Sequence, residues 1–78
     1  MQTFAAVIEA FGGAGVFGPA IGITEGHARV MKSRDSIPSP YWPQVVSAAR
    51  KLGLRKVTYR LLAAIAARRR KMRLARAA

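Results

Sequence analysis

A chain of 78 residues has room for one domain with a small core, because short chains bury a lower fraction of their surface than long ones. Its 14 Lys and Arg stand against 3 Asp and Glu, a formal net charge of +11, and such a field favours polyanionic partners. Nucleic acid ranks first, an anionic membrane surface or an acidic protein second, and a solvated basic tail is the bland alternative; the absence of Cys excludes disulfides and thiolate zinc sites.

In chain order, Met1 to Gly13 has neither a basic leader nor a long apolar run. No segment approaches the ~18 uninterrupted apolar residues of a membrane span, so the expectation is a cytoplasmic, nucleoid-associated protein without a membrane partner. Thr3 is placed to cap a first helix whose Phe4, Val7, Ile8 and Phe11 recur at helical spacing, and Gly12 with Gly13 supplies its stop. Gly12-Gly13-Ala14-Gly15 lacks the Gly-Lys-Ser/Thr ending of a phosphate loop, so it is a terminator and not a nucleotide site.

From Ala14 to Ile23 the chain is apolar but interrupted by Gly15, Gly18, Pro19 and Gly22, which predicts a short or bent second helix. Thr24 then caps a third, Glu25 to Lys32. Arg34 to Pro40 is a break, since each proline biases its predecessor away from helix. A fourth helix is predicted from Pro40 to about Leu52, burying Trp42, Val45, Val46 and Ala49 and ending at Gly53. Thr58 caps a last helix, Tyr59 to about Ala67, with Leu61, Leu62 and Ile65 inward.

Beyond Ala67 the apolar stripe fails. Arg68, Arg69, Arg70, Lys71, Arg73 and Arg76 crowd six like charges into nine residues, a segment expected to fray alone and to be ordered by a phosphate backbone. The domain is therefore drawn at residues 1–67, with residues 68–78 as a basic tail. Removing that tail is expected to weaken binding to all DNA sequences alike and to take a slope of roughly −5 out of log K against log[salt].

Taken together, the elements describe an all-α bundle of four to five short helices, with a basic C-terminal helical extension or tail. Within it, a turn centred on Gly22 gives the pattern of a helix-turn-helix. Phe17 and Ile21 are apolar on the first helix, Gly18 is small where the helices approach, Ile23 follows the turn, and Ala28 with Met31 faces inward on the second. Outward there remain Thr24, Glu25, Gly26, His27, Arg29, Val30 and Ser33.

Arg29 is the first choice for a base contact, since a bidentate guanidinium to guanine is the commonest specific one. Thr24, Glu25, His27 and Ser33 complete the base-facing set, although Glu25 also suits the helix dipole and Thr24 also suits a cap. Lys32 and Arg34, at the helix end, and Arg68, Arg69, Arg70, Lys71 and Arg73, in the tail, are assigned to phosphates. Trp42 is assigned to the core, and His27, with no Cys and few acids around it, is not assigned as a metal ligand.

At these residues the sequence resembles the Cro and lambda-repressor-like helix-turn-helix proteins, and more narrowly the small carph-isopro domain proteins of bacteria and phages. The likeness rests on Ala5-Val7-Ile8-Phe11-Gly12-Gly13, on Ala20-Ile21-Gly22-Ile23, on Val30-Met31-Lys32, and on Ser36-Ile37-Pro38 with Tyr41-Trp42-Pro43, across roughly residues 3–67. It implies a helical domain whose third helix reads DNA, in a transcription regulator of the kind found in prophage-like gene clusters. Pro19 and Gly26 depart from the pattern and favour the alternative, an adaptor that docks on RNA polymerase or another regulator.

No cofactor is expected. Glu9, Glu25 and Asp35 are the only acids, too few and too scattered in sequence for paired-carboxylate, triad or metal chemistry, so the chain is read as non-enzymatic. A homodimer would suit a reader of two half-sites, although no segment forms an evident dimer seam.

Overall fold

The first helix, α1 (Phe4–Ala10), starts where the sequence predicts, with the Thr3 hydroxyl accepting the Ala6 N–H at 3.0 Å. The computed structural model describes residues 1–77. Gly12 and Gly13 follow at φ of 109° and 95°, a conformation costly to any residue with a Cβ, and the next helix leaves at 90° to the first. That helix, α2 (Ala14–Ile21), is joined through a short turn to α3 (Glu25–Arg34). After a 3-10 turn (Ser39–Tyr41) come α4 (Trp42–Lys51) and α5 (Tyr59–Ala77).

The core is wholly apolar. Phe4, Val7, Ile8 and Phe11 from α1 and its end meet Phe17, Ile21, Ala28, Met31, Val45, Val46, Ala49, Leu62 and Ile65, and no polar side chain is buried among the described residues. Phe11 and Phe17 meet edge to face with centroids 5.0 Å apart, which fixes the α1–α2 corner.

Besides α3, which runs on past Lys32 to Arg34, two element boundaries differ from expectation. The fourth helix becomes α-helical only at Trp42, preceded by the 3-10 turn, because Pro40 and Pro43 have no N–H to donate; Tyr41 instead donates to the Pro38 carbonyl at 3.0 Å. Trp42 is half-buried, packed 6.4 Å from the Phe4 ring, and its indole N–H donates to the Ile37 carbonyl at 2.8 Å, so its place is in the core margin.

The second difference concerns the basic segment. Instead of stopping near Ala67, α5 continues without a break to Ala77. Ala63, Ala64, Ala66 and Ala67 have the strongest helix propensity of any residue type, and Arg, Lys, Met and Leu follow closely. Like-charge pairs cost only a few tenths of a kcal/mol each, so propensity prevails. Two tail residues are also tied down: Arg68 donates to the Gln2 side chain at 2.7 Å, and Arg69 donates to the Asp35 carbonyl. From Arg68 onward the helix forms an arm roughly 15 Å long at 1.5 Å per residue.

Candidate nucleic-acid interface

The turn between α2 and α3 depends on two glycines for different reasons. Gly22 sits at φ 82°, ψ 26°, with nothing near its missing Cβ, so it is selected by conformation alone. Gly18 has ordinary helical geometry but no room: a Cβ there would lie 2.9 Å from the Thr24 carbonyl oxygen and 3.1 Å from that of Ile23. The Ile23 N–H donates back to the Gly18 carbonyl at 2.9 Å and closes the C-terminus of α2. The two helices thereby touch through backbone, which sets α3 at a fixed height above its support.

Thr24 starts α3 as predicted, its hydroxyl accepting the His27 N–H at 3.1 Å. Ala28 and Met31 are buried against the body. The outward set is equally clear: Thr24, Glu25, Gly26, His27, Arg29, Val30 and Ser33 are all exposed, with Glu25 on the α2 flank of the helix and His27 on the Tyr41 flank. A Cβ at Gly26 would meet nothing, so no internal packing requires glycine there.

Electrostatics on this face are more ordered than the sequence suggests. Glu25 pairs with Arg29 one turn on, at 3.3 Å, and Lys32 pairs with Glu9 of α1. Lys32, assigned to phosphate, is thus half-buried against α1 and already engaged. Arg34 is exposed in the last turn, where a cation suits the negative end of the helix. His27 stands edge-on to the Tyr41 ring at 5.7 Å.

Asp35 is the residue that sequence reasoning missed. It terminates α3 in the left-handed conformation at φ 52°, which Asp tolerates better than most residues. Its side chain crosses to α1 and accepts the Ala5 N–H at 2.8 Å, supplying that helix with a second cap and a negative charge at its positive end. Its carbonyl takes the Arg69 guanidinium. Nothing in local sequence marks a cap 30 residues distant; the usable hint was an Asp just past the last periodic residue of α3.

Through Asp35 the arm lies beside the end of the outward helix. Asp35, Arg69, Met72, Arg73 and Arg76 line one open cleft, which brings two of the predicted phosphate residues, Arg69 and Arg73, next to the C-terminus of α3. Arg68 instead turns to the N-terminus, and Arg70 and Lys71 are exposed elsewhere on the arm. Arg76, omitted from the predicted contact set, belongs with Arg69 and Arg73 by helical spacing. Comparison of the chain with protein-family models, with curated proteins and with solved structures gave no match.

Proposed function

We propose that the chain is a sequence-specific duplex-DNA-binding transcription regulator, with α3 entering the major groove and the α5 arm following the phosphate backbone. The observation that carries this reading is the exposure of every outward residue of α3 on a helix fixed by backbone contact to a packed support. The major groove of B-DNA is about 12 Å wide and accepts a helix of about that diameter. In this reading Arg29 reads guanine, Thr24, His27 and Ser33 approach neighbouring base edges, and Gly26 allows close approach of the helix backbone. Lys32, Arg34, Arg68, Arg69, Arg70, Lys71 and Arg73 hold phosphates.

Further support comes from the +11 charge and from the likeness to Cro and lambda-repressor-like proteins. A cytoplasmic, nucleoid-associated location and a homodimer on paired half-sites belong to the same proposal. A second reading rests on Val30, an exposed apolar side chain at the centre of the outward face, with 47% of its surface accessible. It suits a thymine methyl, and it equally suits a protein groove on RNA polymerase or another regulator.

Selection from random duplexes separates the two. A regulator enriches a short motif, whereas an adaptor enriches none. With the motif in hand, Arg29→Ala is expected to cost about 1–3 kcal/mol of discrimination at one base pair and to leave affinity for random duplex within about tenfold. Uniform weakening across sequences would reassign Arg29 to a phosphate.

A further inference from the structure

We propose that Glu25 is a positioning residue: lying over Gly15 of α2 and paired with Arg29, it holds the Arg29 guanidinium in the orientation needed to read a base. The inference rests on the DNA-binding reading above and adds to it a specificity-determining contact within the protein.

One carboxylate oxygen of Glu25 is paired and the other lies over α2. Oε2 lies 3.3 Å from an Arg29 terminal nitrogen. Oε1 lies so close to Gly15 that a Cβ built on that glycine would sit 2.7 Å from it. Gly15 belongs to the first turn of α2, whose N-terminus has no side-chain cap, so the carboxylate lies beside the positive end of that helix. Gly15 is not in a left-handed conformation, and the Glu25 carboxylate is the one group that a Cβ there would meet. The glycine makes space for the carboxylate, and the carboxylate holds the arginine.

Stability does not explain this arrangement. The Glu25 and Arg29 side chains retain 52% and 70% of their exposure, and an exposed pair of this kind contributes little to folding. On a surface meant for phosphates, one of only 3 acids in the chain is also a liability for affinity. Its benefit lies in geometry. A free exposed arginine loses rotamer freedom on binding a base, whereas a guanidinium already fixed at one edge loses less and presents its remaining donors in one direction.

The test uses the full chain, the duplex motif selected by the wild type, single-base variants of that motif, and a random duplex. Glu25→Gln is expected to raise random-duplex affinity by up to about tenfold at 0.1 M salt, since one repulsive charge is gone. It should at the same time lower discrimination at the base pair read by Arg29 by about twofold, with an unchanged melting temperature. Gly15→Ala should reproduce the loss of discrimination without the gain in random affinity, because the charge stays while its place is taken. In an Arg29→Ala background, Glu25→Gln should change discrimination no further.

Retained discrimination in Glu25→Gln would overturn the positioning role while leaving DNA reading intact. A shifted preference at a cytosine would overturn it in favour of direct base contact by Glu25. Failure of the wild type to select any motif would overturn the DNA reading and this inference together.

Discussion

The outward helix α3 and the distal half of α5 carry positive charge in opposite ways. On α3, Arg29 and Lys32 are each held by a carboxylate, Glu25 and Glu9, on a helix locked to α2 by backbone contact. On the arm, Arg70, Lys71, Arg73 and Arg76 have no ion-pair partner among the described residues. The first arrangement fixes where a charge points; the second supplies only how much charge there is. Direction matters to a base edge and quantity matters to a phosphate chain, so under the proposed DNA-binding function the difference would divide discrimination from grip.

The largest expected effect comes from removing quantity. Converting Arg70, Lys71, Arg73 and Arg76 together to Gln keeps helix propensity and the Arg68 and Arg69 contacts. It should flatten log K against log[salt] by about 3 to 4, with the same loss on every duplex. An unchanged slope would show that the arm points away from DNA.

Next comes removal of the support. Gly18→Ala places a methyl against the Thr24 carbonyl and should cost about 1–3 kcal/mol in urea denaturation, because backbone has to move. Binding should lose discrimination as α3 tilts. A variant as stable as the wild type would mean that the α2–α3 approach has slack.

Asp35→Ala removes the α1 cap and puts a poorer residue in the left-handed conformation, an expected loss of about 2 kcal/mol. Asp35→Gly should recover about half of that, since glycine relieves the backbone but not the cap. Equal losses in the two variants would show that the conformation contributes nothing. The smallest effect is expected from Glu9→Gln, at about 0.2–1 kcal/mol, because both side chains of the Lys32 pair keep about half of their exposure. With the competing carboxylate gone, Lys32 should hold its phosphate slightly more tightly, read as a small gain in affinity for every duplex.

Much of this was legible because it is local. Thr3, Thr24 and Thr58 each cap a helix three residues into its start, and all three caps follow from residue type and position. The turn was legible because Gly22 and Gly18 stand at fixed offsets from a helical stripe, Phe17, Ile21, Ala28 and Met31, whose members are all buried. The long-range pieces were not. Asp35 reaching Ala5, Lys32 reaching Glu9 and Glu25 lying over Gly15 join residues on different helices, and no periodicity encodes which helix will be opposite.

The basic arm shows a different failure. Repulsion among its charges predicts fraying, whereas the alanines before it and the Arg69 contact with the Asp35 carbonyl keep it helical. The proline pair at the start of α4 was a matter of one turn, with Pro40 and Pro43 converting its entry to 3-10 geometry.

At Asp35 the first helix, the outward helix and the arm converge on a single residue. One side chain caps the first helix, one left-handed backbone position ends the outward helix, and one carbonyl receives the arm, so a displacement of any one reaches the other two through Asp35. Under the proposed DNA-binding function, a polyanion engaged by the arm would steady the end of α3 through that one residue.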